Sequence, residues 1–172
     1  ENGGIFLHTN PWVIIAETVV GNGDRAFKYY SQINLVAKND VIDEYECEPY
    51  VYAQNILGDE HPQFGLARNS WLTGTASWAY QAAIQTILGI RPAYAGLEID
   101  PCIPREWDGF SVTREFRGQV HHITVTNPDH VSRGVRSIQV NGRPIAGNVV
   151  RATGGDQTHQ VEVTMGREGQ AG

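Results

Sequence analysis

The chain reads as an α+β protein with its helices first and an antiparallel β-sandwich after them. Three observations carry that reading. Apolar residues recur at helical spacing up to about residue 88, strict alternation takes over from about residue 97, and glycine or proline punctuates every change of period. At 172 residues the chain can bury a sizeable core as one ordinary domain or two small ones.

The helical half begins with Asn10 as an N-cap and Pro11 at the first helical position, followed by the apolar run Trp12 to Val20. Gly21, Asn22 and Gly23 stop it, and Asp24 is placed to cap a second helix through Ala26, Phe27, Tyr30 and Ile33. A polar connection is expected from Asn34 to Glu46. Pro49 then predicts a third helix over Tyr50 to Leu57, closed by Gly58. After a loop from Asp59 to Arg68 comes the longest helix, Thr73 to Leu88, ended by Gly89. Ala76, Trp78, Ala79, Ala82, Ala83, Ile84, Ile87 and Leu88 make it apolar nearly all round, which predicts burial on most sides.

Alternation marks the strands Leu97 to Pro101, Phe110 to Phe116, Val120 to Val125, Val135 to Val140 and Gln160 to Thr164. Asn141-Gly142 is the dipeptide of a two-residue hairpin turn. The domain limits that follow are 1–90, 91–166 and a frayed tail over 167–172. No starting Met precedes the opening loop, so the chain reads as a piece of a longer protein.

Net charge is −6, with 13 basic against 19 acidic residues and no basic cluster, which argues against nucleic acid or an anionic membrane as partner. No apolar run reaches the roughly 18 residues needed to cross a bilayer. Cys47 and Cys102 have no metal-type spacing and form no disulfide framework; they read as buried thiols in a cytoplasmic protein. His121 and His122 alternate across a strand, so they cannot share one metal, and both read as sandwich surface. No metal is implied.

Two stretches concentrate candidate chemistry: 1–12 (ENGGIFLHTNPW) and 69–78 (NSWLTGTASW). Each sets glycines and small polar groups at the mouth of an apolar helix, where unpartnered N–H groups favour an anion. His8 stands beside the first mouth; Thr73 and Gly74 form the second. Against this stands the plain reading of a structural histidine and an ordinary N-cap. Gln54 is otherwise a solvated helix polar, and Glu48 before Pro49 a carboxylate favoured by the helix dipole. Trp71 and Trp78 read as core residues of a buried helix rather than sugar platforms.

With HTNPW at 8–12, EPYVYAQ at 48–54, NSWLTG at 69–74, LGIRP at 88–92, DPCIP at 100–104 and FSVTR at 110–114, the chain resembles the C-terminal part of glycoside hydrolase family 94. That family holds the inverting β-glycoside phosphorylases, among them cellobiose, cellodextrin, laminaribiose, chitobiose and cellobionic acid phosphorylases. The resemblance implies that residues 1–90 are the last helices of an (α/α)6 barrel and that a jelly-roll-like sandwich follows. It implies phosphate binding by His8, Thr73 and Gly74, and donor-sugar binding by Gln54. The general-acid Asp is expected upstream, so no catalytic residue is assigned here and the segment alone is expected to be inactive. Implied partners are a β-linked disaccharide, phosphate, the rest of the same enzyme and a possible second copy in a homodimer. No cofactor is implied, phosphate being a substrate. The chain departs from the family pattern at Tyr45, Glu46 and Cys47, leaving cellobiose and cellobionic acid both open as substrates, with chitobiose less favoured. Alternatives are the phosphorylase-like tail of a cyclic β-glucan synthase and a carbohydrate-binding module without chemistry.

Overall fold

The computed structural model describes residues 3–48, 50–151 and 158–167. The expected tail thus falls outside the described residues apart from Arg167, and so does Pro49. A short strand β1 (Ile5–Phe6) and a 3-10 turn (Leu7–Thr9) lead into α1 (Asn10–Val19). Its N-cap is Thr9 rather than Asn10: the Asn10 amide donates to the Phe6 carbonyl at 3.0 Å instead of accepting from the first turn. Burial of Pro11, Ile14 and Thr18, spaced by three and four, is what fixes the helix on the core. Gly21 ends this region with φ +81°.

The second helix, α2 (Gly23–Ile33), starts one residue before Asp24. Asp24 caps across the fold instead, accepting the Arg105 N–H at 2.8 Å. The connection expected after Asn34 is partly helical: a 3-10 segment (Leu35–Val41), whose first turn Asn34 caps at 3.1 Å, and a single turn α3 (Ile42–Tyr45).

The expected helix over Tyr50 to Leu57 does not form. Val51 and Ala53 are buried and their neighbours less so, a period of two that leads into β2 (Asn55–Ile56). The β-branched and aromatic side chains of Val51 and Tyr52 favour a non-helical backbone here. β2 lies between β1 and β3 (Ala67–Arg68) in a small antiparallel sheet within the helical half. The last helix is α4 (Thr75–Gln81), which runs without a break into a π-helical stretch (Ala82–Ile87). It is less enclosed than its composition predicts: Thr75, Ala79, Ala82 and Ile87 are buried, but Tyr80 is exposed.

The strand half comprises β4 (Ile90–Ala93), β5 (Gly96–Ile99), β6 (Gly109–Phe116), β7 (Gln119–Thr126), β8 (Val135–Val140), β9 (Arg143–Ile145), β10 (Val149–Arg151) and β11 (Thr158–Met165). β4, β5 and β10 form one antiparallel sheet, and the other five form a second in the order β6-β7-β11-β8-β9. Asn141 and Gly142, both at positive φ, make the expected two-residue turn between β8 and β9. The expectation of a wholly antiparallel arrangement is corrected at one pair, since β11 runs parallel to β7. β7 and β8 point in opposite directions, so a strand inserted between them must be parallel to one.

Helices and sheets share one core, from Leu7 and Ile14 through Ile87, Ile90 and Ile103 to Ile123, Val161 and Met165. The seam is closed by backbone bonds: Asp100 N–H donates to the Gly89 carbonyl at 2.8 Å and Cys102 N–H to that of Ile87 at 2.9 Å. Both cysteines are free and buried. His121 is buried rather than on the surface, its ring 5.2 Å from that of His159 on the neighbouring strand, and burial lowers its pKa. His122, on the opposite face, is exposed and meets Thr113 at 3.0 Å.

Burial also pushes the Cys102 thiol up to about 11. The protonated thiol therefore contributes stability that is full below the ordinary thiol value and is lost as pH rises towards 11. At pH 8 the folded protein is expected to leave Cys102 unlabelled by iodoacetamide while the denatured chain reacts. Equal labelling rates by mass spectrometry would contradict the burial.

Candidate functional site

The site is assembled from three chain segments. The first is the 3-10 turn that carries His8. Its imidazole stacks on Phe6 (centroids 6.0 Å apart, planes at 17°) and forms a T-shaped pair with Trp12, centroids 5.5 Å apart. Trp12 in turn contacts the edge of Trp78 on α4 at 5.7 Å. Aromatic walls on two sides limit how the imidazole can turn.

The third segment brings Gly74 directly against this ring. A Cβ on Gly74 would stand 2.7 Å from the Cε1 atom of His8 and 3.3 Å from Nδ1, so the absence of a side chain is what permits the approach. Gly74 is also the N-cap of α4, whose first-turn amides lack helical partners. Thr73 supplies one of those partners. Its Oγ1 accepts the Thr75 N–H at 3.1 Å and shares a 2.6 Å hydrogen bond with the Thr75 hydroxyl. The plain capping role expected for Thr73 is therefore present beside any ligand role.

The middle segment ties the other two together through Gln54. Its backbone carbonyl accepts the Leu7 N–H at 2.8 Å, fastening the turn that carries His8. Its side-chain amide donates to the Leu72 carbonyl at 3.1 Å and accepts from the Asn69 amide at 3.1 Å, fastening the loop that carries Thr73 and Gly74. Gln54 thus sits at a bend just before β2, not one helical turn beyond Tyr50 on a helix. Beside it opens a cleft of roughly 460 Å³ lined by Gly3, Phe6, Asn55, His61 and Asn69. Phe6 is half exposed there, an apolar plate among amide and imidazole groups.

Sequence reasoning placed Trp71 on a buried helix. It lies instead in the loop before α4, 68% exposed, with φ +69°. Asn69, two residues earlier, is also left-handed at +56°. Such conformations cost on the order of 1–3 kcal/mol each in non-glycine residues and persist only where surrounding contacts impose them. Here the contacts are Asn69 to Gln54 and Asn55, and the Trp71 indole N–H to Glu48 Oε1 at 3.1 Å. Glu48 is held below the usual carboxylate range by its own backbone N–H and by that indole. Asn69 was legible only as the first residue of NSWLTG, because nothing in a sequence marks a strained asparagine.

His8, Thr73, Gly74 and Gln54 therefore meet at one corner of the helical half, at the mouth of α4. Residues 1–89 match the glycosyl hydrolase 94 superfamily catalytic domain, and the chain belongs to that family. Residues 90–146 match the C-terminal domain of glycosyl hydrolase family 65, so the strand half carries a second family's signature. Among relatives, the chain is 51% identical to N,N'-diacetylchitobiose phosphorylase of Vibrio proteolyticus and 47% to that of Vibrio furnissii. It is 36% identical to solabiose phosphorylase of Paenibacillus borealis. Each alignment covers 96% of this chain but only 21%, 20% and 22% of the relative, so the chain spans about a fifth of these proteins. No helix among the described residues is long and apolar enough to cross a membrane.

Proposed function

We propose that this chain is the C-terminal part of a cytoplasmic inverting phosphorylase that cleaves a β-linked disaccharide with inorganic phosphate. The products are an α-sugar 1-phosphate and the free acceptor sugar. On this reading His8, Thr73 and Gly74 receive the phosphate, and Gln54 borders the donor sugar in the cleft beside Phe6. The helices complete an (α/α)6 barrel with upstream segments, and the strands form its C-terminal sandwich. The general acid comes from upstream. Phosphate is already an anion and needs no base, so the site's task is to orient it opposite the leaving oxygen without quenching its nucleophilic oxygen. A histidine, a hydroxyl and main-chain N–H groups suit that better than a lysine cluster. No cofactor is required.

The observation that carries the reading is the contact of the His8 imidazole with Gly74 at the mouth of α4. Relatives at 51% and 47% identity are named for N,N'-diacetylchitobiose, which makes that disaccharide the first to test, ahead of the cellobiose and cellobionate expected from sequence. The full-length enzyme is expected to release sugar 1-phosphate from one of these disaccharides only when phosphate is supplied. Absence of product from all of them would sink the phosphorylase reading and leave a sugar-binding module in its place.

A further inference from the structure

One residue of the NSWLTG motif has no task in the proposed reaction. Trp71 is exposed in this chain, and it does not line the cleft beside Gln54. Its backbone nevertheless holds an unfavourable left-handed conformation, and its ring lies edge-on to Tyr50 at 6.4 Å. The indole N–H points at the Glu48 carboxylate. Glu48 is itself fastened from the other side, where the buried Cys47 thiol donates to Oε2 at 3.6 Å. Together with Asn69 and the Leu72 carbonyl, Trp71 makes the loop 69–72 meet the 48–55 segment at three successive points. Thr73 and Gly74 follow immediately.

We infer that Trp71 is a positioning residue: its indole N–H, held on Glu48, latches the loop so that Thr73 and Gly74 face His8. It acts on phosphate through the loop and touches neither phosphate nor sugar. The inference rests on the phosphorylase reading above. It predicts a defect confined to phosphate, which neither a sugar platform nor a purely structural tryptophan would give.

The test uses the full-length enzyme, with phosphate and disaccharide varied separately and thermal unfolding recorded for each variant. Trp71→Phe keeps the ring and loses the donor. It is expected to raise the KM for phosphate about tenfold, the scale of one hydrogen bond to a charged group. Its kcat and disaccharide KM should stay within about twofold of the parent, with unfolding unchanged. Glu48→Ala should raise the phosphate KM by a similar factor, and the double variant no further. Glu48→Gln keeps an oxygen for the indole and should restore a phosphate KM near that of the parent. An additive double variant, a change in disaccharide KM for Trp71→Phe, or an unaltered phosphate KM would each overturn the latch. If the unmutated enzyme shows no phosphorolysis, the functional reading falls first and the latch with it; if it is active while the variants keep their phosphate KM, the latch alone falls.

Discussion

On the proposed phosphorylase reading, Gly74→Ala in the full-length protein is expected to lower phosphorolysis by about a hundredfold or more while leaving the protein folded. The new methyl carbon would need the place of His8 Cε1, 2.7 Å away, and the imidazole cannot easily yield. Phe6 stacks on one face and Trp12 closes an edge. If His8 orients the phosphate as proposed, a displacement of about 1 Å is enough for a loss of that order. Gly74 itself has φ −82°, an ordinary value for alanine, so the backbone adds no strain of its own. The cost to stability should therefore be that of local overpacking alone, about 1–3 kcal/mol, while phosphorolysis collapses. A Gly74→Ala enzyme with parental kinetics would show that the His8–Gly74 contact is incidental to catalysis.

The second large effect concerns stability. Gly89→Val is expected to cost more than about 3 kcal/mol, because it combines backbone strain with a collision in a close-packed seam. Gly89 has φ +67°, and a side chain there would run into the Asp100 carbonyl. The same glycine accepts the Asp100 N–H, so the two backbones cannot part without losing that bond. Urea unfolding followed by far-ultraviolet circular dichroism measures the cost. A loss below about 1 kcal/mol would mean that the seam between the last helix and β4 yields far more readily than its geometry implies.

Much of the fold could be read from the order of residues. Val120 to Val125 and Gln160 to Thr164 alternate because one face of each strand is buried and the other wet, and the observed burial follows that pattern. Asn141-Gly142 declared its turn because few other pairs accept positive φ twice in succession. Other features were hidden for physical reasons. Val51 and Ala53 carry a period of two over too few residues to outweigh the helix signal of a preceding proline. The parallel pairing of β11 with β7 depends on which slot in the sheet remains open, a property of the whole topology. The burial of His121 depends on its partner His159 in the same register, far along the chain.

At the candidate site, His8, Thr73, Gly74 and Gln54 were visible as residue types in suggestive settings. Their meeting was not. Gln54 was expected on a helix, yet it joins the His8 turn to the 69–74 loop from a bend before β2, using its carbonyl and both ends of its amide. An indole next to an apolar helix suggests the core, whereas the left-handed backbone at Trp71 leaves its side chain exposed in this chain.

The way the strand half is joined to the helices bears on how such chains can be rearranged. Several ties across the join are main chain to main chain: Gly89 to Asp100, Ile87 to Cys102, and the close approach of Gly23 to the Ile103 carbonyl. Contacts made by backbone atoms ask little of side-chain identity beyond the two glycines. A relative's terminal portion could therefore be grafted after Leu88 provided positions 23 and 89 stay bare and the side-chain pairs across the join, Asp24 with Arg105 and Phe27 with Trp107, are kept. Exchange of this terminal portion between related proteins would meet the same requirement.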